Sequence, residues 1–548
     1  MPQAEFLARR TCAPLLSGIR RLVADVRRTL WRERWGSLFV MGQTSVLIVG
    51  AGPTGLVLAL ILARRGIRVR IIDDDEGPGA HSRAMVVHAR TLEFYRQLGF
   101  AEDVLAAGIK VESARVREAR ANGSVDKFHL QFGDIGRGLS PYPFALAYPQ
   151  DDHERFLVTR LHEMGVEIQW SARLAGFTQD DRSVRATIAS RSGQTEEVAA
   201  EYICGCDGAH SVVRETLAVG FPGGTYDQLF YVADVRIAGT FQTDLSLGLS
   251  DAILSLMLPV RSSGMQRFIG LVPPEVSNRS DLGFEDIRAH LEPLFGVRVV
   301  EVNWFATYRV HHRVAERFRV DRAFLLGDAA HIHSPAGGQG MNTGIGDAVN
   351  LGWKLADTIR GRLAASMLDT YESERIRFAR ILVSTTDRAF RPMVAGGVEG
   401  EIVRRVLAPL FFTVATRFEI GRRTLFRTVS QIRVHYPQSA LSEGQAGHVQ
   451  GGDRLPWAGD SGVDNFAPLR SFDWQLHVYG TSNADVNDAC QRLNLPLHLF
   501  AWSEAARRAG FKKDALYVVR PDGYVGLASA TQDVAALKTY MVSRGVRV

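Results

Sequence analysis

The stretch Gly327–Asn342, GDAAHIHSPAGGQGMN, gathers groups able to do chemistry and admits two readings. His331 and His333 beside Asp328 suggest a metal site. The glycines at 337, 338 and 340, set just before a helical run, suggest a loop that holds an anionic ligand. A helix N-terminus offers unpaired N–H groups and partial positive charge to such a ligand. A metal would require three or four converging ligands.

A second stretch, SVLIVGAGPTGLVLALILARRGIRVRIIDDD, parses into a buried strand, G-x-G-x-x-G (Gly50, Gly52, Gly55), a helix stopped by Gly66 and a strand ending at Asp73. The glycines permit a tight turn, close approach to a pyrophosphate and close helix–strand packing, and an acid at the second strand's end can accept from ribose. This is the pattern of a dinucleotide site. Three successive acids, Asp73 to Asp75, would repel a 2′-phosphate, which favours FAD or NAD over NADPH here. The apolar run from Val46 to Ala63 is long enough to mimic a membrane span. Gly50, Gly52, Pro53 and Gly55 interrupt it where a strand turns into a helix, so it reads as a buried βα unit.

Two further βα junctions occur later in the chain. ICGCDGAHSVVRETL sets Asp207-Gly208 after an apolar strand, with Ser211 and Arg214 on the next helix. It is either a second phosphate-binding turn or a plain turn with a surface arginine. In the opening stretch, Arg322–Leu326 predicts a strand ending at Gly327-Asp328, and the Pro335–Gly340 loop leads into a helix from about Met341 to Leu363. Asp328 is then placed for a ribityl or ribose hydroxyl, and the helix N-terminus for a reduced flavin's negative charge.

Taken in this order, the three motifs resemble those of the flavoprotein aromatic hydroxylases of the p-hydroxybenzoate hydroxylase and phenol hydroxylase type. The likeness spans residues 46–355 and continues in AVNLGWKLA and YESERI. Gln150 and Glu154 resemble that family's Q-x-x-x-E segment, where the glutamine meets the flavin side. HSRAMVVHARTLEFYRQLG resembles the segment after the second strand, with Arg83 as pyrophosphate partner. The resemblance implies bound FAD, transient reduction by NADH or NADPH, and an aromatic substrate with O2. Oxygen adds to the flavin, and the hydroperoxide delivers one atom to the ring. It also implies that Pro335 lies near the flavin's reactive carbon, that Gly338, Met341 and Asn342 belong to the cofactor loop, and that His331 packs and hydrogen-bonds rather than ligating a metal.

Bulk composition is that of an ordinary globular chain: 548 residues, 46% hydrophobic and 23% charged, enough for two to four domains. The net charge of +6 looks like a nucleic-acid signal. However, residues 1–40 hold eight arginines against Glu5, Asp25 and Glu33, so the rest is nearly neutral and no basic domain face is expected. That tail, with Leu15, Ile19, Leu22, Val26 and Leu30 at helical spacing, reads either as a membrane-surface or targeting helix or as an extension ahead of a start at Met41. The four cysteines (12, 204, 206, 490) form no CxxC, which predicts reduced, inert thiols and a cytoplasmic setting.

The expected architecture is α/β. A basic extension (1–43) precedes a Rossmann-like FAD-binding domain (44–220 and 306–400) with an inserted β-rich substrate region (221–305). A helical linker (401–445) and a thioredoxin-like C-terminal domain (446–548) complete the chain, and residues 432–455 read as a connecting segment. By resemblance the last domain is that of the phenol hydroxylase branch and of 3-(3-hydroxyphenyl)propionate and polyketide hydroxylases. Cys490 is its one cysteine, so thiol–disulfide exchange is excluded. A homodimer is one option for its role. Tyr308, His311 and His312 are acid–base candidates, but no residue is assigned as catalytic. A flavin halogenase is disfavoured by the absence of a W-x-W-x-I-P segment. A flavin epoxidase, a Baeyer–Villiger oxygenase and a degenerate flavin-binding module stay open, whereas a plain NAD dehydrogenase accounts for the first motif alone.

Overall fold

The computed structural model describes residues 43–548 apart from 80–83, 121–122, 132–135, 251–253, 335, 395–399, 401, 404–406, 408–409, 411–416 and 460–462. Residues 1–42, and with them the basic tail and Cys12, lie outside the described residues, as do Arg83 and Pro335.

The first sheet is built on four parallel strands: β1 (Gln43–Val49), β2 (Val69–Ile72), β3 (Thr195–Gly205) and β4 (Ala323–Leu325). β1 is central, with Val46 opposite both Val69 and Tyr202, and β4 joins the far side of β3 with Ile203 opposite Ala323. Strands buried on both faces read as unbroken apolar runs, and Val46, Leu47 and Ile48 are fully buried. Helix α1 (Pro53–Arg64) connects β1 to β2, and its Leu56–Leu62 run lies inside the core.

Two later helices cover this sheet: α2 (Gly340–Ile359) and α3 (Asp369–Val394). α2 starts within a residue of the expected Met341 and stops four residues short of the expected Leu363. It crosses α1 at two glycines. A Cβ on Gly344 would stand 2.3 Å from Thr54 Oγ1, and one on Gly352 would stand 2.8 Å from Ile61 Cγ2. Small residues there let the helix backbones close together, and each buried leucine or isoleucine side chain along the contact contributes roughly 1.5–3 kcal/mol.

The second sheet has eight strands and takes in more chain than residues 221–305. Its order is 331–332, 299–314, 223–237, 265–271, 254–260, 245–249, 113–120, 123–131. The outer hairpin comes from the sequence between the nucleotide motifs, joined in parallel with Leu245 opposite Ala114. One face packs on helix Glu285–Phe295 through Tyr231, Met257, Phe268, Leu291 and Phe295. The other face carries Phe230, Tyr308, Leu254, Leu256 and Ile269 toward the rest of the molecule.

The C-terminal sheet has six strands. Gln475–Tyr479 pairs in parallel with Leu497–Phe500 across helix Ala484–Leu493, and antiparallel with Leu516–Val519. This is the expected thioredoxin-like arrangement, with the hairpin turned at Pro521-Asp522-Gly523. Its lower edge reaches back into the supposed connecting segment. Glu443–Ala446 pairs with Val525–Ser529 and with Val449–Gln450, so those residues belong to the sheet. Among the described residues, no helix is long and apolar enough to cross a membrane.

Candidate active site

Three loops leave the carboxyl ends of β1, β3 and β4 and meet. In open parallel sheets this is where ligands bind. The first turns at Gly50, whose φ of +104° suits glycine and whose absent Cβ would lie 2.2 Å from the Cys206 carbonyl oxygen. Gly55 is equally tight, 2.0 Å from the Gly50 carbonyl oxygen. Gly52 differs, because a Cβ there would meet nothing within 4 Å. So two glycines serve packing and one leaves open space at a helix start.

Gly52 is the N-cap of α1, which has neither a side-chain cap nor an acid in its first turn. The first N–H groups of a helix have no intrahelical acceptor, so this end is prepared for an anion. Asp73 closes the loop from β2. Its carboxylate accepts from Ala51 N at 2.5 Å and from Asp75 N at 2.9 Å. Burial raises its pKa, and the two N–H groups work against that shift.

The second loop is Asp207-Gly208. Asp207 accepts from Ser211 Oγ (2.6 Å) and Val213 N (3.1 Å), capping the short helix Val212–Thr216. Gly208, at φ +74°, has open space where a Cβ would stand. Arg214 is engaged by the protein's own loops. Its guanidinium donates to Ala329 O (3.0 Å) and Ala209 O (2.8 Å) and lies 4.0 Å from the centroid of the Phe221 ring. It staples the second loop to the third.

In the third loop, Gly327 turns at φ +58° against Thr54, and Asp328 is the exposed residue in an otherwise buried run from Ala323 to Ala330. Asp347, from the interior of α2, organises this loop. It accepts from Gly327 N (3.0 Å), Arg375 Nε (2.5 Å) and the His331 ring (2.7 Å). His331 is therefore a buried member of a carboxylate network, stacked on Phe318. Burial lowers the His333 ring to a pKa of about 4, and its Nδ1 meets Ser334 O at 2.8 Å.

Gly337 and Gly338 both have positive φ and deliver the chain to α2, whose first turn again has no side-chain cap and no acid. Asn342 locks this junction. Its Oδ1 accepts from His88 N (2.9 Å) and Thr91 Oγ1 (2.8 Å), and its Nδ2 donates to Val86 O (2.8 Å) and Gly338 O (2.9 Å). With its amide satisfied, Asn342 can offer a ligand only its backbone N–H, as can Gly340 and Met341. Gln150 begins helix Gln150–Glu163 and donates to Glu154 (2.8 Å), which also accepts from Gly79 N (3.1 Å).

The structure thus brings together Gly50, Gly52, Gly55, Asp73, Asp207, Gly208, Gly327 and Asp328 with the start of α2. Arg83 and Pro335 fall outside the described residues. His311 is turned to Thr225 (2.7 Å), Tyr308 packs on Phe230, and His312 packs on Tyr226. Sequence reasoning missed Asp347, Arg375 and Thr54. The available signal was Asp347 on the helix that the glycine loop opens.

His88 Nε2 donates to Gly337 O (2.8 Å), and burial lowers its pKa to about 4; burial lowers His153 to about 3. Both are neutral when folded and bind protons below about 6.5 once unfolded. Their folded pKa values are depressed, so stability is full above pH 6.5 and declines as pH falls toward 4. Chemical denaturation at pH 7 and 5 is expected to show a loss of about 3–4 kcal/mol from the pair. Equal stabilities at the two pH values would place both rings in solvent.

The donor set fits a dinucleotide carrying a second ring system. Open space at Gly52 and Gly208, two uncapped helix starts and an exposed Asp328 are what such a ligand needs. A family model described as FAD binding domain matches residues 43–386. The 6-methylpretetramide 4-monooxygenase of Streptomyces rimosus is 36% identical over 415 residues, which cover 73% of this chain and 71% of that protein. A flavin-dependent monooxygenase of Mycobacteroides abscessus is 31% identical over 497 residues, covering 88% and 96%. The solved anhydrotetracycline hydroxylase of Streptomyces rimosus superposes with a TM-score of 0.69 at 28% identity, over 89% of this chain and 96% of that one. Fold, loops and relatives converge, and the chain belongs to the FAD-dependent aromatic monooxygenases.

Proposed function

We propose that Gly50, Gly52, Gly55, Asp73, Gly208, Gly327, Asp328 and the backbone of Gly340, Met341 and Asn342 hold FAD, and that the substrate is a phenolic or polycyclic aromatic compound. The observation that carries this is the meeting of three strand-end loops with two uncapped helix starts. FAD, when bound, supplies the redox and oxygen chemistry. The chain's own residues do the rest. Gly52 and Gly208 admit phosphate close to backbone, and Asp73 and Asp328 accept from hydroxyl groups. The first turn of α2 stabilises negative charge that develops on the ring facing it.

The sheet face bearing Phe230, Tyr308, Leu254, Leu256 and Ile269 is apolar and half open, as suits a flat aromatic ligand and exclusion of water. A fused-ring substrate is supported by relatives named for 6-methylpretetramide, anhydrotetracycline and rifampicin, and a single-ring phenol by one named for pentachlorophenol. NADH and NADPH remain alternatives as reductant.

The experiment is NAD(P)H consumption by FAD-loaded protein against phenols, phenylpropionates and polycyclic quinones, with product masses. Faster consumption with a product one oxygen atom heavier supports the reading. Peroxide with no oxygenated product from any compound counts against it. Asp328→Ala is expected to weaken FAD binding by about 10-fold, the loss of one charge-assisted hydrogen bond. Unchanged FAD affinity would remove Asp328 from the site.

A further inference from the structure

The strand-end loops account for the tightly held cofactor and leave the reductant without a seat. Residues 377–433 hold eleven arginines against four acidic residues, a bias as large as that of the whole chain. Within this stretch, helix α4 (Glu419–Val429) ends beside the active site. Gln431, just past it, donates to Thr343 Oγ1 (2.8 Å) in the first turn of α2, and Ser430 O accepts from Arg90 N (3.2 Å).

Arg427 and Arg433 bracket these two residues. Arg433 N donates to Arg427 O at 3.1 Å, so the pair sits on one tight turn, and both residues are exposed. Neither side chain has a hydrogen-bond or ion-pair partner among the described residues. The nearby acids are taken. Glu93 is shared by Arg90 (2.9 Å) and Arg454 (2.5 Å), and Glu419 is paired with Arg423 (2.9 Å). Desolvation and the like charges of Arg423, Arg454 and Arg433 push Arg427 below the usual arginine range, with no carboxylate among the described residues opposing them. A cluster of like charges left uncompensated among the described residues suits an anion, and guanidinium forks match phosphate oxygens.

We propose that Arg427 and Arg433 dock the diphosphate of the reduced nicotinamide dinucleotide, at the mouth of the active site. This rests on the flavoenzyme reading. One helical turn, about 6 Å, separates Arg427 from the residue that touches α2, so a diphosphate held here leaves its attached ring within reach of that helix start. The positive field also steers the dinucleotide to this mouth.

The test uses the FAD-loaded, full-length protein and two readouts. One is the affinity of ADP-ribose, a redox-inert probe that carries the diphosphate. The other is the dependence of anaerobic flavin reduction on NADPH and NADH concentration. The double variant Arg427→Glu/Arg433→Glu is expected to raise the Kd of ADP-ribose and the half-saturating concentration of both dinucleotides by about 10- to 100-fold, with flavin content and melting temperature retained. Arg427→Lys/Arg433→Lys is expected to recover part of the affinity, because it keeps the charge and loses the forks. Arg182→Glu, a distant exposed charge change, is expected to have no effect. Unchanged ADP-ribose affinity in the folded, FAD-loaded glutamate variant would overturn the proposal. A shift of the same size in Arg182→Glu would overturn it too, by reducing the effect to net charge. Failure of the unaltered protein to retain FAD or to accept electrons from either dinucleotide would instead strike the flavoenzyme reading itself.

Discussion

Gly52→Val is expected to yield a folded protein without flavin. The backbone at Gly52 has φ −70° and ψ 177°, an extended conformation open to any residue, and a Cβ there meets nothing within 4 Å. The substitution weakens an N-cap, at a cost of about 1 kcal/mol, so the apoprotein melts close to the unaltered one. The added methyl groups occupy the open space at the start of α1 that a pyrophosphate requires. FAD affinity is expected to fall at least about 100-fold, or roughly 2.7 kcal/mol.

Gly50→Ala and Gly55→Ala make the contrast. Their Cβ atoms would meet backbone carbonyl oxygens at 2.2 and 2.0 Å, which cannot give way, so these variants lose folding rather than flavin alone. The measurement is flavin absorbance after desalting, set beside the thermal melt of each apoprotein. Flavin retention by Gly52→Val at normal affinity would mean that this loop does not carry the phosphates.

That contrast marks what was legible in the sequence. The β1–α1–β2 unit was readable because its glycines, helix and terminal acid are local. The start of α2 was readable because two glycines and a helical pattern adjoin. The destinations of polar side chains were not. Arg214 looks like a phosphate ligand by type and ends on the carbonyls of Ala209 and Ala329; Asn342 looks like part of the cofactor loop and spends its amide on Val86, His88, Thr91 and Gly338. Four of these six partners lie more than a hundred residues away and leave no trace in a local pattern. The hairpin Ser113–Gln131 hid for a related reason. Its strands are rich in arginine and acids, and its parallel seam with Leu245–Leu249 joins segments about 130 residues apart. Glu443–Ala446 hid because Glu-Gly-Gln-Ala has no strand-like side chains, and its partner strand supplies the pairing.

Glu374→Ala is expected to be the most damaging single change outside the glycines, although it lies in no loop of the site. Glu374 sits on α3, 3% exposed, and accepts from Lys354 Nζ (2.8 Å) and Asn350 Nδ2 (2.6 Å) of α2. It also accepts from Arg520 (2.7 Å) of the C-terminal hairpin and Ser439 Oγ (2.6 Å) ahead of the first C-terminal strand. Arg520 continues to Asp522 (2.6 Å), which accepts from Trp353 Nε1 (2.9 Å). One carboxylate therefore joins α2, whose first turn belongs to the proposed flavin site, to the thioredoxin-like domain. Burial already lowers Lys354 to a pKa of about 8, and the carboxylates of Glu374 and Asp522 keep it from falling further. Removing Glu374 strands the buried Lys354 ammonium and leaves Arg520, which cannot shed its proton, with Asp522 as its one carboxylate. The expected loss is about 3–5 kcal/mol, read by chemical denaturation. A loss below about 1 kcal/mol would mean that water reaches the network. The double variant Lys354→Met/Glu374→Leu separates pairing from burial, because apolar groups of similar volume need no partners and Arg520 keeps its pairing with Asp522. It is expected to recover most of the stability. If it stays as unstable as Glu374→Ala, the damage comes from lost packing between the domains and not from uncompensated charge.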